Sequence, residues 1–191
     1  MHATTATAGA QLYEPLAASV KASLYRSISD RAPSLSSFPT SGDAALWLNE
    51  MSRRLERKMP DRTARLELLK SIHYEASRAG LDPELVLGLV EVESGFHKYA
   101  VSGAGARGYM QVMPFWQDLI GQKDNNLFHM RTNLRYGCTI LRHYLDIEHG
   151  DLYRALGRYN GSLGRPEYPN LVRAAWENHW RQTGAPSLAL R

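Results

Sequence analysis

The sequence predicts an all-α fold, helical over most of its length, and three observations carry that expectation. Apolar residues recur at i, i+3 and i+4 spacings in the longer segments. Asp82-Pro83-Glu84 presents a capping side chain, a proline at the first helical position and an acid in the first turn, the order of a helix start. Evidence for strands is thin everywhere.

In chain order, Tyr13 to Asp30 is expected to be a helix, with Leu16, Val20, Leu24 and Ile28 on one face. Ala32 to Gly42, rich in Pro, Ser and Gly, reads as a linker. Asp43 is placed to cap a helix through Lys58, and the basic residues Arg53, Arg54, Arg57 and Lys58 read as a solvated face. Pro60-Asp61 opens a helix ending near Gly80, with Leu66, Leu69, Ile72 and His73 inward. The helix opened by Asp82 should run to Ser94. Met130 to Glu148 forms a long helix with Leu134, Gly137, Cys138, Leu141 and Leu145 on one face, where Gly137 suggests close helix packing. Asp151 caps a shorter helix to Tyr159, and Pro169 to Trp180 forms the last. Residues 1–60 are therefore expected to be a helical arm and linker, and 61–191 the main domain. Because the arm holds none of the residues singled out below, its first 40 residues are expected to be dispensable for chemistry.

Length and composition bound the rest. The chain has 191 residues, 43% hydrophobic and 22% charged, enough for one domain with a substantial core. Its formal net charge of +4 suits an acidic polymer, nucleic acid or a carboxylate-bearing glycan, and equally an ordinary solvated surface. A single cysteine, Cys138, excludes an internal disulfide framework and zinc fingers. No apolar run is long enough to span a membrane. MHATTATAGAQ has neither a basic nor an apolar signal region, so a signal peptide is not expected in it, and its small residues would suit a chain that starts just after one. Seven histidines occur without an H-E-x-x-H or Cys-His cluster, so no metal ligands and no cofactor are expected. No basic stretch is interleaved with aromatic residues, which argues against nucleic-acid binding.

The segment YAVSGAGARGYMQ, Tyr99 to Gln111, contains Gly103, Gly105 and Gly108 in a G-x-G-x-x-G spacing. In a dinucleotide fold that turn directly follows a strand and opens a long helix. Here the preceding apolar run is capped as a helix by Asp82-Pro83, and Pro114 interrupts any helix starting at the loop. The glycines therefore serve some other close approach of the backbone.

Helical geometry next singles out one acid. With Leu85 at zero and about 100° per residue, Leu89 falls near ~40°, Val92 near ~−20° and Val86 near ~100°. Glu93 falls near ~80°, inside this apolar face, while Glu91 falls near ~240°, beside Glu84 on the polar side. An ionised carboxylate on an apolar face is costly, and the end of a helix disfavours negative charge. Glu93 is thus expected to titrate above the ordinary glutamate value of about 4.3 and to suit general acid catalysis, with activity falling above pH ~5. A core glutamate satisfied by hydrogen bonds or an arginine is the plainer alternative.

Glu93-Ser94-Gly95-Phe96, then Ser102, then Gly108-Tyr109-Met110-Gln111, then Tyr159-Asn160-Gly161 resemble the soluble lytic transglycosylases, the SLT-type enzymes that cleave peptidoglycan. The resemblance covers roughly Leu68 to Val172. It implies a goose-lysozyme-like helical domain, preceded here by the N-terminal arm, with a cleft for alternating GlcNAc and MurNAc. By this resemblance Glu93 is the catalytic acid and later base, and Ser94 supports its carboxyl region. Ser102, Met110 and Gln111 line sugar subsites, and the glycines let the loop approach the glycan. Tyr159 and Asn160 hold the N-acetyl group, and Tyr168 bonds the acid. Tyr109 stands where leucine is usual, and the loop between Asn160 and Tyr168 is short. The implied partner is the peptidoglycan glycan strand and the implied location the periplasm or cell envelope. The N-terminal arm is left as a candidate contact for an envelope machine.

Two other readings stay open at this point. A goose-type lysozyme would need water and commonly a second carboxylate, for which Asp118, Asp146 and Glu167 are candidates, though each reads more simply as a surface charge. A wall-binding or assembly protein could keep the fold without the chemistry, but would gain nothing from a buried acid.

Overall fold

Eight α-helices and one π-type turn form the regular structure among residues 11–29 and 42–182, which are those the computed structural model describes. They are α1 (Ala18–Ser29), α2 (Gly42–Leu55), α3 (Arg62–Arg78), α4 (Pro83–Ser94), α5 (Phe115–Ile120), α6 (Met130–Ile147), α7 (Leu152–Asn160) and α8 (Glu167–Ala175). The π turn, Trp176–Trp180, continues α8. Among the described residues, extended pairing is confined to two isolated bridges, Val101 with Arg107 and Arg107 with Val112.

Three aspartates cap helices at the expected starts. Asp61 accepts hydrogen bonds from the N–H groups of Thr63 and Ala64, Asp82 from Glu84, and Asp151 from Arg154. Each acid satisfies donors that the first helical turn leaves open. α4 stops where expected, with Gly95 in the left-handed region at φ 56°.

α4 is the hub. It packs against α3, α8 and the π turn, and Glu84 to Val90 are all buried. Gly88 permits this: a Cβ there would stand 2.8 Å from the Trp176 backbone nitrogen. Burial on several sides explains a departure from the helical wheel. Glu84 and Glu91 do lie away from Glu93, but that side is covered, not solvated. Gln182 N–H donates to Glu84, and Glu91 meets His179, Trp180 and Lys58. The basic residues of α2 take part as well. Arg54 donates to the carbonyls of His179 and Arg181, so only part of the expected solvated face is free of the fold.

Other expectations change in detail. α1 starts at Ala18 rather than Tyr13, since Pro15 disfavours helical backbone at Glu14. Most of the Ala32–Gly42 linker lies outside the described residues. α2 already includes Gly42, which puts Asp43 in its first turn rather than at its cap. On α3, Leu68 is fully buried while Leu66 and His73 are half-buried, because α2, α4 and α6 contact this helix from different sides. α5 forms directly after Pro114, whose missing N–H costs nothing at a helix start. The close approach at Gly137 is to a loop side chain: a Cβ there would lie 2.4 Å from Met110 Sδ.

One buried cluster runs through Leu24 and Ile28 of α1, Trp47, Met51 and Leu55 of α2, and the helices beyond Pro60. The expected division at residue 60 is therefore not a boundary in the packing. Two arginines reinforce the contact: Arg78 donates to Ser27 O at 2.5 Å and Arg135 to Ile28 O at 3.3 Å. Arg135 also pairs with the buried Glu75 at 3.0 Å. Deleting residues 1–40 would strip Leu24 and Ile28 from this core, at about 1.5–3 kcal/mol for each buried aliphatic side chain. Thermal unfolding of the truncated chain is expected to begin at a clearly lower temperature, and an unchanged midpoint would refute the shared core.

Candidate active site

Glu93 sits in the last turn of α4, only 5% exposed. The hydroxyl of Tyr168, in the first turn of α8, donates to its Oε1. Tyr168 is itself 1% exposed, and the short 161–167 connection delivers it to the acid. Burial, and then the charge of Glu93, push the Tyr168 phenol well above its ordinary value. Tyr168 thus keeps its proton and remains a donor to the carboxylate over the working pH range.

The glycine-rich loop is built around Asn133, a residue not singled out from sequence. Its Oδ1 accepts from Met110 N–H at 2.8 Å, and its Nδ2 donates to the carbonyls of Arg107 at 2.8 Å and Leu127 at 2.9 Å. Asn133 is completely buried on α6, one turn before Gly137. An asparagine and a glycine at i, i+4 beside an apolar stripe were the available signal. Gly108 fits against this amide: a Cβ there would be 2.5 Å from Asn133 Nδ2 and 2.7 Å from Leu127 O. The close backbone approach inferred from the glycines is, at Gly108, an approach to the protein's own α6.

The other singled-out residues mostly shape this loop. Ser94 Oγ donates to Tyr109 O at 2.8 Å, tying the loop to the turn that bears Glu93. Ser102 Oγ accepts from Ala106 N–H at 3.1 Å. Gln111, at φ 48°, donates through Nε2 to the carbonyls of Gly108 at 2.9 Å and Ala100 at 3.1 Å. Met110 has no exposed surface; it packs on Gly137 and Cys138. Tyr109 is also buried, 5% exposed, and burial raises its phenol pKa. Tyr159, fully buried at the end of α7, donates to Met110 O at 2.8 Å, and Asn160 follows it, 5% exposed. α4, the loop, α7 and α8 thus meet through Glu93–Tyr168, Ser94–Tyr109 and Tyr159–Met110.

The remaining carboxylates are engaged elsewhere. Asp118 and Asp146 have side chains 60% and 64% exposed, beside Lys123 and Arg142, and Glu167 is exposed. The other buried acids among the described residues are Glu75, paired with Arg135 and Arg78, Glu84, and Glu148, paired with Arg154 and Arg158. Hydrogen bonds from Arg158 and Arg154 hold Glu148 below the usual carboxylate range. Glu91 is half-buried; burial alone would raise its pKa, but hydrogen bonds from His179, Lys58 and Trp180 outweigh this and hold it below the ordinary value of a glutamate. A carboxylate depressed on folding adds stability above its unfolded pKa and loses it as pH falls through the folded value. The stability gap between the wild type and Glu91→Gln is therefore expected to shrink as pH drops from 6 to below about 4. Denaturant midpoints across that range measure it, and a constant gap would contradict the assignment.

Residues 70–170 match the family model of the transglycosylase SLT domain. The chain belongs to this family. The chain is similar to a transglycosylase of Enterobacteria phage PRD1, with 33% identity over 103 residues, 54% of this chain and 38% of that protein. A shorter stretch is 50% identical over 48 residues to the membrane-bound lytic murein transglycosylase C of Actinobacillus pleuropneumoniae serotype 5b (strain L20), covering 25% of this chain and 13% of that protein. The corresponding Haemophilus influenzae (strain PittEE) protein is 48% identical over 46 residues, 24% of this chain and 13% of its own. The matches span well under half the length of these relatives. Glu93, the Asn133-pinned loop, Tyr159, Asn160 and Tyr168 all fall within the matched SLT segment, whereas α1 and α2 precede it. Among the described residues no helix is long and apolar enough to cross a membrane.

Proposed function

We propose that this SLT domain is a peptidoglycan lytic transglycosylase, cleaving the MurNAc-β-1,4-GlcNAc bond and leaving 1,6-anhydroMurNAc ends. The observation that supports it best is the buried Glu93 held by the neutral Tyr168 hydroxyl. It provides one acid that can give and take a proton. The other buried acids among the described residues are tied into contacts of their own, so the proposed reaction uses no protein nucleophile.

In this reading Glu93 protonates the glycosidic oxygen as the bond from the MurNAc anomeric carbon breaks. The MurNAc acetamido carbonyl oxygen forms the new bond to that carbon, giving an oxazoline-type intermediate. Asn160 is suited to hold the acetamido group, because an amide can donate to its carbonyl or accept from its N–H. Glu93, now a carboxylate, takes the proton of the MurNAc 6-hydroxyl as that oxygen attacks the anomeric carbon and the oxazoline opens. Ring closure is intramolecular and competes with water through its high effective concentration. Tyr168 positions the carboxyl group in both steps. Ser102 and Gln111 are assigned to the sugar-facing loop, and Met110 supports it from beneath. The substrate places the protein at the cell wall, in the periplasm or envelope.

Digestion of purified peptidoglycan in 18O-labelled water, followed by mass spectrometry, tests this. MurNAc ends lighter by one water and free of label are expected. Predominantly labelled reducing ends would instead make the protein a lysozyme-like hydrolase, and no soluble products from the folded chain would favour a wall-binding role.

A further inference from the structure

The segment before α1 lies outside the family match, yet it meets the active-site loop directly. Gln11 is 3% exposed. Its Nε2 donates to Gln111 O at 3.3 Å. Its Oε1 accepts from Met113 N–H at 3.3 Å and from Trp116 Nε1–H at 3.1 Å. One primary amide thus satisfies a carbonyl and two N–H groups along Gln111–Trp116, its nitrogen serving as donor and its oxygen accepting twice. Two residues on, the Tyr13 ring meets Phe115 edge-on, with centroids 5.7 Å apart. Glu14 then pairs with Arg158 at 3.1 Å, immediately before Tyr159 and Asn160.

We infer that Gln11–Glu14 is a positioning strap of the active site, in which Gln11 sets the Gln111–Trp116 loop and Glu14 joins that side of the site to the end of α7. The place where Gln11 acts needs such help. Gln111 holds a left-handed backbone conformation, which a side chain other than glycine keeps only when its surroundings enforce it. Within the loop, Gln111 Nε2 is already used on Gly108 and Ala100, while its own carbonyl is held by Gln11. α1 anchors the strap behind this point, packing on α5 and α6. Gln11 touches no reacting atom in this scheme. It acts through Gln111 and the backbone beside Tyr159, so its removal should loosen geometry rather than delete a chemical group.

The catalytic consequence rests on the proposed transglycosylase activity, whereas the structural one does not, so the test reads both. Full-length wild type, Gln11→Ala and Gln11→Glu are compared at a temperature where circular dichroism shows all three folded. The Trp116 indole N–H resonance, assigned by 15N NMR, reports the Gln11 contact. In Gln11→Ala it should move upfield, and kcat on peptidoglycan should fall about tenfold, the scale of a small misplacement. Gln11→Glu keeps the oxygen acceptor for Met113 and Trp116 and loses the donor to Gln111. It should prevent the upfield shift of the Trp116 resonance, a carboxylate being at least as strong an acceptor as the amide, and recover part of kcat. An unmoved Trp116 resonance in Gln11→Ala, or an unchanged kcat beside a moved one, overturns the strap. A wild-type chain that cleaves no glycan would instead defeat the proposed activity, with the resonance still deciding whether Gln11 sets the loop.

Discussion

Glu93→Gln is expected to lower peptidoglycan cleavage by about 10²–10⁴-fold, the usual worth of a positioned proton donor and acceptor. The substitution keeps the shape and leaves an amide oxygen that can still accept from Tyr168. It removes the only group in the proposed mechanism that moves a proton. Stability should hold near that of the wild type, because the amide fills the same volume and keeps the Tyr168 contact. Glu91→Gln provides the contrast. It lies two residues away on the covered far side, with Lys58, His179 and Trp180 as partners. That variant should lose stability while keeping most of its turnover per folded molecule. Soluble-product assays alongside thermal melts separate the two, and near-normal cleavage by Glu93→Gln would remove Glu93 from the chemistry.

Gly108→Ala should be the most damaging single-methyl change in the loop. The backbone there is left-handed, at φ 76°, which costs a residue with a Cβ about 1–2 kcal/mol. The new methyl would also meet Asn133 Nδ2 at 2.5 Å and the Leu127 carbonyl oxygen at 2.7 Å. Overpacking of this kind costs roughly 1–3 kcal/mol. Displacing Asn133 further weakens its hold on Met110 N–H and the carbonyls of Arg107 and Leu127. A melting temperature lower by on the order of 10 °C is expected for a chain of this size. Cleavage should fall with it, because the displaced loop is tied to Ser94 and Tyr159. Gly103→Ala is the control: a Cβ at that glycine meets nothing within 4 Å, so both quantities should stay near wild type. Equal effects from the two variants would show that Gly108 is not a packing position.

Where the chain uses local chemistry, the residues announce the structure. Asp61, Asp82 and Asp151 cap helices from within three residues of the groups they satisfy, and α4 and α6 run within a residue of their expected limits. Glu93 was legible for the same reason: helical periodicity alone puts it on the apolar face of a capped helix. The Glu-Ser, Gly-Tyr-Met-Gln and Tyr-Asn elements pointed to the family that the matched segment establishes.

The rest depends on partners distant in sequence. Periodicity assigns Glu91 to a polar face, but only the π turn over α4, with Lys58 just beyond α2, decides that this face is covered. Gly108 and Gly137 could be read as close approaches, yet what approaches them is fixed by the meeting of loop and α6. Met110, read by resemblance as facing sugar, is buried there because α6 offers it the space at Gly137. Asn133 and Gln11 were silent, because an amide's role lies in which carbonyls and N–H groups the fold brings within hydrogen-bond reach, here 23 residues away between Asn133 and Met110 and 100 between Gln11 and Gln111. The sequence by itself determined the helices other than α5, the caps of α3, α4 and α7 and the buried acid, all consequences of neighbours within a few turns. Tertiary structure alone decided which polar groups share that acid's surroundings, because hydrogen bonds and close packing are set by distance in space.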